Sequence, residues 1–143
     1  MKILIIHGPN LHLLGKRKTG IYGKATLALL NSGIKERAAG LGMKVRIFQS
    51  NSEGGIIDLL TANAAWADAL VINPAAYTHY SYAIRDAIEA LEIPAVEVHL
   101  TDISKREAFR KISVIKPVCR AQFKGGGHRS YFEALEFCAS LKR

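Results

Sequence analysis

The chain has 143 residues, of which 49% are hydrophobic and 22% charged; this suits one compact domain, residues 1–143, and excludes a disordered tail. Lys plus Arg number 20 against 12 Asp plus Glu, a formal charge of +8 that favours anionic partners without choosing among nucleic acid, phosphate and small carboxylates. Cys119 and Cys138 are too few for a disulfide framework or zinc site, no run nears the ~20 apolar residues of a membrane span, and the opening apolar run meets His7 and Gly8 too early for a signal segment; the expected location is cytoplasmic.

Lys2 to Ile6 is a short run of isoleucine and leucine, the pattern of a strand covered on both faces. A polar, glycine-bearing stretch follows from His7 to Gly23, long for an ordinary βα loop and of the length that lids have. From Thr26 a helix is predicted, because Leu27, Leu30, Ile34, Ala38 and Leu41 recur at helical steps before Gly42. Val45 to Phe48 reads as the second strand. Ser50, Asn51 and Ser52 offer caps to a helix carrying Ile56, Ile57 and Leu60. Ala69 to Ile72 is a third strand, Ser81 caps a helix striped by Ile84, Ile88 and Leu91, and Ala95 to Leu100 is a fourth strand. Ser104-x-x-Glu107 fits a capping box on a short helix. Val118 to Phe123 is a weaker fifth strand, and the last helix gathers Tyr131, Ala134, Leu135 and Cys138 on one face. Strands alternating with helices predict an α/β fold, a five-stranded parallel sheet with helices on both faces, in flavodoxin-like order.

Ligands of such sheets bind beyond the carboxyl ends of the strands. The residues there are His7, Asn10, His12, Arg17 and Tyr22; Ser50, Asn51 and Glu53; Asn73, Tyr77, Thr78 and His79; then Glu97, His99 and Thr101, with Arg110 a little further on. These amides, imidazoles and cations make an active-site inventory without metal-ligand spacing or a nucleophile elbow, and no lysine stands at a readable strand end.

His7-Gly8-Pro9-Asn10-Leu11-His12-Leu13-Leu14-Gly15 with Arg17 and Ile21-Tyr22-Gly23 resembles the first signature of the type II 3-dehydroquinate dehydratases. Gln49 to Gly54, Ile72 to His79, Glu97 to Thr101 and Arg106 to Arg110 match the same family in the right order over nearly the whole chain. The resemblance implies removal of water from 3-dehydroquinate through an enolate, without cofactor or metal, in a homo-oligomer that is a dodecamer of trimers. It assigns Tyr22 as the base, and Arg17 as the cation that favours its phenolate against an ordinary pKa of ~10. His99 is the matching acid; Glu97, two residues earlier on the same strand face, is placed to orient it. Asn10 corresponds to the amide that holds a water over the enolate oxygen. Asn73, His79 and Arg110 correspond to substrate contacts, Leu100 and Thr101 to the receptor of the substrate carboxylate, and Asp86 to a residue reaching a neighbouring subunit's site.

Some positions depart from the family pattern. His12 replaces asparagine, Thr101 replaces serine with its hydroxyl kept, and Asp102 replaces asparagine, bringing a charge expected near the carboxylate receptor. Lys16-Arg17-Lys18-Thr19-Gly20 replaces an acidic, proline-bearing loop, which loosens its open state and makes substrate capture sensitive to salt. Gly125-Gly126-Gly127 before His128 reads as a flexible turn.

Two rival functions remain at this point. A flavodoxin-like binding or signalling domain lacks the acidic strand ends of a receiver and the G-x-G-x-x-G of a dinucleotide site. Nucleic-acid binding rests on net charge alone, without a recognisable motif.

Overall fold

In the computed structural model, which describes residues 1–16, 20 and 25–141, five parallel strands form one sheet in the order β2-β1-β3-β4-β5. They are β1 (Lys2–His7), β2 (Lys44–Gln49), β3 (Ala69–Asn73), β4 (Ala95–His99) and β5 (Ala121–Lys124). Among the described residues, α1 (Leu27–Gly40), α2 (Glu53–Asn63) and α3 (Tyr82–Ala90) join successive strands, and α4 (His128–Ser140) follows β5. This is the predicted flavodoxin-like order, in which the direction of winding reverses beside β1. Among the described residues, no helix is long and apolar enough to cross a membrane.

Alternation along the strands assigns each residue to one of two cores. Ile3 and Ile5 of β1, Val71 of β3 and Val96 and Val98 of β4 pack on Leu30 and Ile34 of α1 and on Tyr131, Ala134, Leu135 and Cys138 of α4. Leu4, Ile6, Leu70 and Ile72 face the other way, onto Ile56 and Leu60 of α2 and Ile84 and Ile88 of α3. Both faces of the central strands are therefore buried, which is why they read as unbroken apolar runs. Each fully buried Ile or Leu contributes about 1.5–3 kcal/mol. Three helices begin at the predicted caps: Thr26, Ser52 and Ser81 accept from the backbone N–H of Leu29, Gly55 and Ile84.

Three expectations change. The fifth strand starts at Ala121 and not Val118, because its pairing with β4 begins at Val96↔Ala121, and Lys116–Val118 instead forms a single 3₁₀ turn containing Pro117. The strand also runs one residue further, so Lys124 stands at a strand end beside His99 in register; its Nζ lies 3.7 Å from Asp102 Oδ1. Ser104 caps no helix: Asp102 takes its N–H at 3.0 Å and its hydroxyl at 2.6 Å, and the segment breaks into the 3₁₀ turns Ile103–Lys105 and Ala108–Arg110. Both cysteines are free, and burial pushes each thiol up to about 12, the behaviour of inert packing groups.

Candidate active site

The carboxyl ends of β1, β3 and β4 open on a cavity of about 140 Å³. The turn that builds its first wall needs Gly8: its N–H donates to Asn73 O at 2.7 Å, and a Cβ there would meet Pro74 O at 2.6 Å. Asn10 follows in the left-handed region (φ +68°) and Ala75, across the gap, has φ +52°. Such conformations persist only where surrounding bonds enforce them. Here they do: Asn10 N–H donates to Asn51 Oδ1 at 3.0 Å, Gln49 Nε2 donates to Gly8 O at 3.1 Å and to Asn51 Oδ1 at 2.9 Å, and Ala75 N–H donates to Asn73 Oδ1 at 3.0 Å. Gln49 and Asn51 thus brace the Gly8–Asn10 turn and do not line the cavity. Ser50 and Glu53 do not line it either; Glu53 accepts from Ser81 Oγ at 2.6 Å between α2 and α3.

Seven residues predicted from the sequence line the cavity together: Asn10, Asn73, His79 and His99, with Leu100, Thr101 and Arg110. Leu11, Leu14 and Ile103 supply an apolar wall. Asp102, expected near the carboxylate receptor, is not among the lining residues; it turns to Ser104 and Lys124. Asp86 is exposed on α3, outside this chain's own cavity. Arg17 and Tyr22, with most of the basic loop, lie outside the described residues.

Glu97 is fully buried in the middle of β4, two residues before His99 at its end. Its Oε1 lies 2.6 Å from His99 Nε2, and the Thr78 hydroxyl donates to the same oxygen. Ser113 Oγ donates to the carboxylate, 2.8 and 2.9 Å from its two oxygens, and Gln122 Nε2 donates to Oε2 at 3.0 Å. Burial pushes the carboxyl's pKa upward, but the His99 hydrogen bond and charge, with the Thr78 and Ser113 hydroxyls, outweigh it and hold Glu97 below the usual carboxylate range. An ionised carboxylate only accepts. His99 therefore presents Nε2–H to Glu97 and has Nδ1 left for a molecule in the cavity.

His79 donates from Nδ1 to Ile112 O at 2.7 Å, leaving Nε2 as an acceptor. Burial first, and then the charges of His99 and Arg110, lower its pKa, opposed by the Ile112 bond and by Glu97. The guanidinium of Arg110 lies 4.7 Å from the Phe109 ring centroid, and its Nε forms an ion pair with Glu107 Oε2 at 2.9 Å without hydrogen-bond alignment. Arg106, which sequence reasoning quoted only within a motif, also lines the cavity. Thr78 was placed at the rim and proves to be buried under it; Ser113 and Gln122 went unnoticed, being 16 and 25 residues from Glu97 with no local signal to join them. His7, expected on the rim, is buried beneath it.

A doubly wound sheet with two arginines, two histidines and a buried carboxylate–imidazole pair at its carboxyl edge defines an α/β enzyme equipped to hold an anion and move protons. Residues 1–139 match the model of the Dehydroquinase class II family. The chain is 52% identical over 141 residues to a 3-dehydroquinate dehydratase from Pelotomaculum thermopropionicum, covering 99% of this chain and 98% of the relative. The type II dehydroquinase of Butyrivibrio crossotus superposes with a TM-score of 0.96 at 45% identity, over 98% of both chains. That of Propionibacterium acnes superposes with a TM-score of 0.94 at 37% identity, over 98% of this chain and 97% of the other. The chain belongs to the class II dehydroquinase family and is a hydro-lyase.

Proposed function

We propose that the chain dehydrates 3-dehydroquinate to 3-dehydroshikimate through an enolate, with Tyr22 as base and His99 as acid. Elimination β to a ketone requires removal of the α proton, stabilisation of negative charge on the ketone oxygen, and protonation of the departing hydroxyl. In this reading the Tyr22 phenolate, favoured by Arg17, takes the proton, and the electron pair moves into the enolate. Asn10 holds a water that donates to the enolate oxygen. As the enolate collapses, the β C–O bond breaks and His99 gives its Nδ1 proton to the leaving hydroxyl, so that water and a conjugated enone result. The proton on Tyr22 must return to His99 before the next cycle.

The observation that carries this reading is the Glu97–His99 pair, 2.6 Å apart. It supports an acid role because the ring is locked by one nitrogen and opens on the cavity by the other. Asn73 and His79 hold the substrate hydroxyls, Arg110 makes a further substrate contact, and Leu100 and Thr101 receive its carboxylate; no cofactor takes part. Asp86 completes the pocket of a neighbouring subunit in a dodecamer of trimers, in the cytoplasm and in one domain. Exposed Tyr80, Tyr82, Phe109 and Ile112 gather around His79 and α3 and support burial of that surface by another subunit.

The test follows the absorbance of the enone formed from 3-dehydroquinate. Wild type should turn over, and Tyr22→Phe should lose turnover while keeping its fold and assembly. Near-normal activity in Tyr22→Phe removes the base assignment, and an inactive, folded, assembled wild type removes the substrate.

A further inference from the structure

Asp102 sets a negative charge one residue beyond Thr101, which lines the cavity and belongs to the carboxylate receptor proposed above. An anion there opposes a bound anion, so its surroundings bear on binding although it does not line the cavity itself. Its Oδ1 accepts from the Ser104 N–H at 3.0 Å and from the Ser104 hydroxyl at 2.6 Å. The Ser104 hydroxyl foremost, opposed by desolvation, and then the Ser104 N–H and the charges of Lys124 and Lys105 hold its pKa below the usual carboxylate range. Asp102 is therefore ionised at neutral pH.

The turn after β5 is built against the same segment. Gly127 N–H donates to Leu100 O at 3.0 Å, and a Cβ on Gly125, whose φ is +82°, would stand 3.2 Å from Asp102 Cβ. Lys124 pairs with His99 in register, and alternation puts it on the face that Gln122 shares with Glu97. That placement carries Lys124 Nζ to 3.7 Å from Asp102 Oδ1, with the two side chains 33% and 29% exposed. Opposite charges this close largely cancel at a third charge further away.

We propose that Lys124 is the counter-charge of the carboxylate receptor: paired with Asp102, it cancels the repulsion that Asp102 exerts on the carboxylate of a substrate held at Leu100 and Thr101. It acts on affinity for an anion and not on proton transfer. The inference rests on the function proposed above. A pair that merely pinned the turn would weaken binding from whichever end it was broken; a compensating pair responds with opposite sign at its two ends.

Steady-state kinetics of the assembled enzyme with 3-dehydroquinate at low ionic strength separate the two, with fold and assembly checked by circular dichroism and sedimentation. Lys124→Gln should raise KM about threefold, the size expected of one part-exposed charge acting across solvent. Asp102→Asn, which keeps an oxygen to accept from Ser104, should lower KM by about the same factor. In each, kcat should change less than about twofold. The double variant should return near the wild-type KM, because the two charges act independently on the substrate. Lys124→Arg should keep the wild-type KM, and every shift should shrink at about 0.5 M salt. A raised KM in both single variants, an unmoved KM in folded Lys124→Gln, or shifts that survive high salt overturn the proposal while wild-type turnover leaves the function standing. If Lys124→Gln does not fold, the direction of the KM change in Asp102→Asn decides. A wild type without turnover takes both readings down.

Discussion

Glu97 shows what a single buried charge requires. A carboxylate without solvent would ordinarily take up a proton, yet four side chains from four separate stretches of chain donate to it and keep it ionised. Glu97→Gln keeps the shape and one accepting oxygen but removes the negative charge beside His99 and replaces the second accepting oxygen with a donor. If His99 is the acid, kcat should fall by about 10²-fold or more, measured by enone absorbance, with a smaller change in KM. His7 is the opposite case, a titratable group kept neutral. Its folded pKa of about 4 lies below the ordinary histidine value of 6.5, so between those values the unfolded chain binds more protons and stability rises with pH. On going from pH 7 to about pH 5, wild type should lose about 2 kcal/mol more unfolding free energy than His7→Gln, read from denaturant titrations at fixed protein concentration. Equal losses would show that His7 is protonated at no cost to the fold.

At the scale of elements, the cavity exists because the turns after β1 and β3 approach closely enough for Gly8 N–H to reach Asn73 O. Gly8→Ala places a methyl against Pro74 O and should cost about 1–3 kcal/mol, seen as a lowered denaturant midpoint, with a loss of activity as Asn10 and Asn73 are pushed apart. Ser52→Ala is the useful contrast: it removes only the cap of α2, should cost about 1 kcal/mol, and should leave KM unchanged because the helix end lies outside the cavity lining. The altered start of β5 has the same origin as these effects. Strand ends are set by the register with the neighbouring strand, and that of β5 with β4 begins at Val96↔Ala121.

For the molecule as a whole, the two faces of the sheet deliver different equipment to one edge. The α1/α4 face brings the buried line Asn31–His7–Tyr131; the other face brings Glu97 and His99. Asp86 and the exposed side chains of Tyr82 and Phe109 belong to neither. If they meet another subunit, Tyr82→Glu should shift the sedimenting species to smaller size and lower activity per subunit by at least about tenfold, because a buried unpaired carboxylate is costly and the neighbouring Asp86 is withdrawn. A smaller species with full activity would show each chain to be self-sufficient.

Hydrophobic period and capping residues were enough to predict the sheet, its flavodoxin-like order and three helix starts, because β1, β3 and β4 are buried on both faces and Thr26, Ser52 and Ser81 act on the backbone three residues away. The linked motifs also pointed to seven residues that do share one cavity. Glu97 and His99 were legible for a local reason, since alternate residues of a strand share a face. The bracing of Glu97 by Ser113 and Gln122, and the joining of His7 to Asn31 and Tyr131, were not. Tyr131 stood in an apolar stripe, and its hydroxyl was a sign that a partner was needed without saying which. Those partners lie up to 124 residues apart, and only packing α1 and α4 against the same face of the sheet brings their polar atoms within reach. Local sequence determined which residues arrive at the carboxyl edge; tertiary packing decided which way each of them points.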